Sequence, residues 1–335
     1  MELTKRKQNI LASIVDGYIR TGEPVGSKSI AEKAGVSSAT VRNEMAELTE
    51  LGLLEQPHTS AGRVPSQEGY REFVDALMQP ETLTEAEKLT IDAMLAKSAF
   101  DPERLLRGAA KTLAVSTRYL ALSTTPSGAD AKIKAVQFVQ TSRRTAMLIM
   151  MSSAGTMKNK VFHCDFDLSN EIMRIFFRVL NERVTGRDVA EINRAFVQNL
   201  AISLGDMAIL MSPALAALLE VALETMQTEI SVLFYPEYKL GGARRVMDIL
   251  ERRELLTELL AGKQNRTQIK IGTETGQNAL AESSVICARY SVNGRDAGAV
   301  AVIGPMRMQY AHVAAQTAYV ADRVGEMLTR IMREE

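Results

Sequence analysis

Residues 37–66, SSATVRNEMAELTELGLLEQPHTSAGRVPS, contain side chains whose types and spacing suit contact with DNA bases. Arg42 can donate two hydrogen bonds to O6 and N7 of guanine, and Asn43 can pair with adenine. Ala39 or Thr40 can contact a thymine methyl group or a phosphate. The segment therefore predicts recognition of double-stranded DNA.

A single helix between Ser37 and Gly52 would hold these side chains on one side. Ser37 or Ser38 can cap it by accepting a hydrogen bond from a free amide, and Ser38 is also a candidate DNA contact. At 100° per residue, the helix has an apolar side and an opposite side of short or polar residues. The apolar side comprises Val41, Met45, Leu48 and Leu51, and the opposite side comprises Ala39, Arg42, Asn43 and Ala46.

Two predicted helices precede this one. Residues 3–19 have the apolar spacing of an amphipathic helix, and Ser27–Ala34 form a short helix closed by Gly35, which can adopt a left-handed cap. A short second helix, a glycine turn and a capped third helix indicate a helix-turn-helix, whose third helix enters the major groove by its amino-terminal end. A three-helix protein-binding module is the alternative interpretation.

A hairpin follows the three helices, as in a winged helix. Leu53 and Leu54 start a strand, Pro57–Gly62 form a turn, and Arg63–Pro65 return. The predicted phosphate or minor-groove contacts of this wing are His58, Thr59, Ser60 and Arg63. A plain polar turn would have the same composition.

Basic residues are concentrated in the same region, although the whole chain has a formal net charge of zero. Residues 1–43 hold seven basic and four acidic side chains, whereas residues 44–55 hold four acidic and no basic ones. We expect Lys5, Lys7 and Lys28 to contact backbone phosphate. The alternative is that they lie at solvated helix ends.

The remaining 255 residues predict an α+β domain with an insertion. A polar helix, opened by a Thr84–Glu87 capping box, links the domains. A helix, a three-stranded meander, further helices including one at 244–260, more strands and a closing helix, in which we expect His312 to be an ordinary residue, follow. The predicted divisions are a winged-helix domain (1–80), a helical linker (81–100), an α+β domain (101–165 and 242–335) and an inserted domain (166–241). One winged helix reads too little DNA for specific binding, so we also expect a homodimer.

Catalytic, metal and cofactor signals do not emerge from the sequence. Cys164 and Cys287 lie far apart without a ligand spacing. His163 and Cys164 are strand neighbours that point to opposite faces, and Asp165 with Asp167 makes a weak metal site. We therefore expect no enzymatic activity, no cofactor and no metal. The charged amino terminus and the lack of 18 consecutive uncharged apolar residues predict a cytoplasmic protein that does not bind a membrane.

Three segments resemble a known family. Residues 22–75, GEPVGSKSIAEKAGVSSATVRNEMAELTELGLLEQPHTSAGRVPSQEGYREFVD, closely resemble the winged-helix domain of the heat-inducible transcription repressor HrcA family. LNERVTG at 180–186 and GAVAVIGPMRMQYAHV at 298–313 are similar to its central and carboxyl-terminal signatures. The resemblance implies a GAF-like α+β domain interrupted by a dimerisation domain, and a dimer that binds an inverted-repeat operator before chaperone genes. It also implies that a GroEL-type chaperonin keeps the repressor active and that heat stress ends repression.

A ligand-responsive regulator is the main competing function, because GAF-like domains often hold small molecules. An open, polar cavity in that domain would favour this function. We expect the cavity to be filled by residues such as Met147, Ile149 and Val302.

Overall fold

The chain folds into a small winged unit, a five-stranded sheet flanked by helices, and a three-stranded sheet with its own helices. The computed structural model describes residues 3–58, 61–98, 101–126, 131–226, 230–233, 252–260 and 267–333.

The first unit has the predicted winged-helix order. Its elements are α1 (Lys5–Thr21), α2 (Ser27–Ala34), α3 (Ser38–Glu50), β1 (Leu54–Glu55), β2 (Val64–Pro65) and α4 (Gln67–Glu72), which continues into a π-helical turn at Phe73–Leu77. β1 pairs antiparallel with β2, and Val25 adds a bridge to Arg63. Gly22 and Gly35 end α1 and α2 in the left-handed conformation, which was predicted for Gly35.

The further helices and strands build two bodies. The helices are α5 (Glu85–Ala96), α6 (Pro102–Thr117), α7 (Asn170–Val184), α8 (Arg194–Leu204), α9 (Met207–Met226), α10 (Arg253–Leu260) and α11 (Tyr310–Arg333). The strands are β3 (Leu120–Thr124), β4 (Ile133–Gln140), β5 (Thr145–Ser152), β6 (Met157–His163), β7 (Ile230–Leu233), β8 (Gln268–Ile271), β9 (Ser283–Val292) and β10 (Arg295–Pro305). The predicted helix at 244–260 is described only from residue 252 onward.

The larger sheet is antiparallel with strand order β7-β3-β10-β9-β8. Side chains alternate across a strand, so Val300 and Val302 of β10 face one core and Ala301 and Ile303 face another. The first core includes residues of α6 and α11, and the second includes residues of α10. Helices on both faces of an antiparallel sheet confirm the predicted α+β architecture.

The three-stranded sheet β4-β5-β6 shares its core with α7, α8 and α9. Leu148 and Met150 of β5 are buried in the same cluster as Phe176 of α7 and Leu218 of α9. The boundary placed at residue 165 from the sequence falls inside this shared core. We therefore propose that the insertion spans about residues 131–226.

The structure changes the expectation for the interior of the five-stranded domain. Val302 is buried in its sheet, as expected. Met147 and Ile149 instead belong to β5, in the other sheet, where they are half-buried. They do not fill the GAF-like domain, because the meander that carries them packs with the insertion.

One described helix, α9, is long and apolar enough by length and composition to span a membrane. Its residues Met211, Leu215, Leu218 and Val221 are buried in the insertion core. α9 also packs against β5 and β6. One side of α9 is therefore packed in this core, while Ile209, Leu210 and Leu223 are exposed.

The winged unit is docked on the larger body through α4 and the linker. Gln67 Nε2 donates to Thr273 Oγ1 at 2.9 Å, and Arg71 bonds to Glu274 and to the Ile269 carbonyl. The linker carries the predicted Thr84–Glu87 capping box, and its Ile91 and Leu95 are buried. The linker helix α5 is thus packed against the core.

His312, expected to be an ordinary residue of the last helix, joins that helix to the linker. Its Nδ1 lies 2.8 Å from Glu81 Oε1, and its Nε2 lies 3.4 Å from Glu87 Oε1. Two carboxylates therefore fix the orientation of the ring and bind the linker to α11.

Candidate nucleic-acid interface

The helix α3 presents the side that was predicted from its sequence. Ser37 is the cap: its Oγ accepts from Thr40 N at 3.0 Å and lies 2.8 Å from Thr40 Oγ1. Val41, Met45 and Leu48 are buried against the rest of the unit. Leu51 differs from the prediction: it is the carboxyl-terminal cap and is 38% exposed.

The exposed side of α3 carries the base-reading candidates. Ala39, Arg42, Asn43 and Ala46 are all exposed. Arg42 and Asn43 have no hydrogen-bond or ion-pair partner among the described residues, so their donors face solvent. The short Ala39 and Ala46 let another backbone approach this side closely.

The amino-terminal ends of α2 and α3 lie together. Ser38 Oγ is 3.0 Å from Ser27 Oγ at the start of α2. Lys28 is exposed beside Ser27 and has no partner within the described ranges. Free amides at helix starts favour anions, so the two starts and Lys28 form a surface suited to phosphate. Ser27 was missed in the sequence, although its place before a short helix could have indicated it.

The base of the wing is held against the turn before α2. Val25 and Arg63 exchange two backbone hydrogen bonds, each 2.9 Å long. A Cβ added to Gly62 would lie 2.4 Å from the Val25 carbonyl oxygen, so only glycine fits there. Arg63 Nε also donates to Thr49 Oγ1 of α3 at 3.0 Å, which ties the wing to the third helix.

A cleft of about 240 Å³ separates the wing from α3, and Ser27, Arg42, Gln56 and Arg63 line it. Half-buried Arg63 therefore has a structural role as well as a place at the interface. His58 is exposed, and its carbonyl accepts from Ala61 N at 2.9 Å. Thr59 and Ser60 lie outside the described residues.

The three basic residues at the start of α1 have different environments. Lys5 is exposed and has no partner in the described part of the chain. Lys7 Nζ lies 2.7 Å from Glu47 and 3.5 Å from Glu44, and its hydrogen bond to Glu47 raises its pKa. Arg6 also approaches Glu44, at 3.6 Å. Lys7 thus joins α1 to α3. We propose that it does not contact phosphate.

The local change of charge along α3 has a structural cause that sequence reasoning missed. Glu44 and Glu47 bind the basic start of α1. A spacing of three places them on one helix side, which was the available signal. They hold α1 on the flank of α3 and leave Arg42 and Asn43 uncovered.

Several reactive side chains of the described residues make local structural contacts or are buried. Asp167 is bound to Arg144 at 3.0 Å, and His163 Nδ1 lies 3.3 Å from Thr145 Oγ1. Burial raises the pKa of the Cys287 thiol to about 11, so it is not a thiolate at neutral pH. Over the described ranges, no three His, Cys, Asp or Glu side chains are grouped to hold a metal ion.

Comparison with known proteins gives a consistent family match. Residues 2–77 match the family "Winged helix-turn-helix transcription repressor, HrcA DNA-binding", and residues 103–314 match "HrcA protein C terminal domain". A heat-inducible transcription repressor HrcA from Acetivibrio thermocellus is 31% identical over 347 residues, covering 100% of this chain and 99% of the relative. The corresponding protein of Pelotomaculum thermopropionicum is 33% identical, with 99% of each chain covered.

A solved structure shares the fold. A crystal structure of a protein described only as hypothetical superposes with a TM-score of 0.65 and 23% sequence identity. The match covers 98% of this chain and 100% of that chain.

Proposed function

This chain belongs to the HrcA family of heat-inducible transcription repressors, and from that premise we propose that it binds an inverted-repeat operator before chaperone genes as a dimer. The observation that supports this most strongly is the exposed amino-terminal half of α3, where Arg42 and Asn43 have no partner among the described residues. Donors held on a rigid helix are what reading base edges in the major groove requires.

The proposed contacts divide into base reading and phosphate binding. Arg42 and Asn43 read bases, and Ala39 or Thr40 contacts a thymine methyl group. Phosphate contacts position the helix, and they come from Ser38, Lys5, Lys28 and the wing residues His58, Thr59, Ser60 and Arg63. Arg63 also fixes the distance between wing and helix through Thr49.

We expect a dimer because of the way in which recognition helices contact DNA. One recognition helix reaches only a few base pairs, and two-fold dimers bind half-sites about one helical turn apart. The insertion offers a surface for a second copy of this chain, because Ile202 and Ile209 on either side of the α8–α9 turn are 79% and 80% exposed. Phe177, Leu210 and Leu223 of the same domain are also exposed. We propose that these side chains are covered in the dimer.

We propose that repression is regulated by the fraction of the protein that is present as native dimer. Affinity for a two-half-site operator falls with the competent fraction, so heating that depletes the dimer releases the DNA. A monomer with the exposed side chains of the insertion is a suitable substrate for a GroEL-type chaperonin, which would restore the dimer. A repressor acts on the chromosome, so we place the protein in the cytoplasm.

Titrating labelled operator DNA at saturating concentration measures the active fraction separately from the affinity. We expect mild heating to lower the active fraction together with the amount of soluble dimer. Chaperonin with nucleotide should raise the fraction without joining the DNA complex. An active fraction that chaperonin leaves unchanged would exclude the proposed regulation but not DNA binding, which footprinting on promoter DNA tests independently.

A further inference from the structure

A cavity of about 780 Å³ lies where the winged unit meets the five-stranded domain. Its wall comes from the end of α6, the residues around the starts of β9 and α11, and Ile19 of α1. Small-molecule sites in proteins have volumes of roughly 300–1,000 Å³. The cavity therefore has the size of a ligand site, and residues of both the winged unit and the five-stranded domain line it.

Gln316 is a buried polar side chain in the wall of this cavity. It lies in the second turn of α11, lines the cavity and is only 4% exposed. Its Oε1 has no hydrogen-bond partner among the described residues. Nearly all buried polar atoms in native proteins are paired, and an unpaired one costs about 1–3 kcal/mol. A residue in the wall of the cavity thus carries a buried acceptor that lacks a donor.

The remaining wall is suited to an anion. Arg118 and Arg307 line the cavity, and both are exposed. α11 begins at the same wall with no acidic residue in its first turn, which leaves the positive end of its dipole uncompensated. Glu282 is the one carboxylate among the lining residues.

Arg118 occupies its place at a conformational cost. It caps α6 with φ at 60°, in the left-handed region where glycine is the preferred residue. An arginine in a backbone conformation that favours glycine indicates that its positive charge has a function.

We propose that this cavity binds a phosphorylated small molecule of nucleotide size. Arg118, Arg307 and the start of α11 would hold the phosphate, and a hydroxyl or amino group of the ligand would donate to Gln316. Arg307 also packs against the end of α1, because a Cβ added to Gly22 would lie 3.4 Å from its Nη1 atom. A bound ligand would thereby stabilise one arrangement of the DNA-binding unit on the larger body, independently of the dimer and the chaperonin.

The test uses the full-length protein with inorganic phosphate, a ribose phosphate, adenosine monophosphate and adenosine, each titrated by calorimetry and by the shift of the thermal unfolding midpoint. We expect saturable binding and a higher midpoint with the two phosphorylated organic probes, and weaker or no binding of inorganic phosphate and adenosine. No saturable binding of either organic phosphate, or equally tight binding of adenosine, overturns the proposal.

Two variants locate the site. Arg118→Gly relieves the left-handed backbone and Gln316→Leu removes the unpaired acceptor, so each unliganded variant should be at least as stable as the parent protein. Each should weaken probe binding by about tenfold or more. Arg42→Ala, at the DNA interface, is the control and should leave probe binding unchanged. Undiminished binding in both cavity variants would refute the site. Loss of binding in Arg42→Ala would also refute it and would place the probe on the DNA interface.

Discussion

At the scale of single residues, the surroundings of each basic side chain determine whether it is available to contact DNA phosphate. Lys5 and Lys7 are two positions apart on α1 and look equivalent in the sequence. The structure separates them, because Lys7 is bound to Glu44 and Glu47 whereas Lys5 is exposed. The distinction depends on how α1 packs beside α3, which helical spacing alone cannot give.

Lys5→Met and Lys7→Met should therefore affect binding in different ways. Loss of Lys5 should weaken all DNA sequences alike and reduce the slope of log K against log salt by about 0.9 per protomer. Loss of Lys7 should leave that slope unchanged and lower the unfolding free energy only slightly, since solvent screening weakens such ion pairs. Binding isotherms over a range of salt concentrations distinguish them, and a reduced slope in Lys7→Met would contradict the assignment.

Gly62 offers a test of the wing at the same scale. Gly62→Ala would place a Cβ against the Val25 carbonyl and break the bridge to Arg63. We expect a loss of about 1–3 kcal/mol in unfolding free energy, measured in urea, and weaker operator binding. Gly26→Ala is the matched control, because an added Cβ there meets no atom within 4 Å. Equal stabilities of the two variants would show that the wing does not need this contact.

At the scale of elements, the parts with local signals were predictable and the parts that depend on distant partners were not. The capped α3, the glycine stops of α1 and α2 and the Thr84–Glu87 capping box follow from neighbouring residues, so the sequence identifies them. The meander β4-β5-β6 was also predicted as strands. The alternation of side chains along these strands does not reveal which helices cover them. Their packing with α7, α8 and α9 could therefore be seen only in the structure.

The junction between α4 and the larger body was equally hidden, and it predicts a pH dependence. Burial would raise the pKa of Glu274, but hydrogen bonds from Arg71 and Ile271 N outweigh it and lower the pKa below 4.5. A carboxylate with a lowered pKa stabilises the fold above its unfolded value and loses that contribution as the pH falls through its folded value.

Unfolding of the parent protein and of Glu274→Gln should therefore be compared between pH 3 and pH 6. The parent should be more stable at pH 6 by about 1 kcal/mol, since the pair is partly exposed, and this advantage should disappear as the pH falls below about 4.5. Glu68→Gln, an exposed substitution on α4, which carries Arg71, is the control. An advantage that persists at pH 3 would exclude the ion pair as its source.

At the scale of the whole molecule, the proposed operator binding requires two copies whose α3 helices are held at a fixed distance. The docked winged unit and the shared core of the linker make each copy a continuous body. In the proposed dimer, the insertion would set the geometry of the pair. Neither feature has a local sequence signal, because both depend on surfaces that meet only after folding.

Disrupting the proposed dimer surface tests this organisation. The double substitution Ile202→Glu and Ile209→Glu should give folded monomers that bind a full operator at least tenfold more weakly, since a single half-site contact remains. Sedimentation gives the mass, and anisotropy of labelled DNA gives the affinity. Leu89→Glu is the matched control, since Leu89 is 69% exposed but lies in the linker helix. A double variant that stays dimeric would move the interface elsewhere.

The most direct test of DNA reading is the base preference of the full-length protein on a library in which every operator position is varied. We predict that Arg42→Ala loses about 1–3 kcal/mol of discrimination at one base position, symmetrically in both half-sites, with preferences elsewhere retained. That result would place Arg42 of each protomer on the same base of each half-site. An unchanged preference profile, or a uniform loss across all positions, would contradict the role of α3 as the recognition helix.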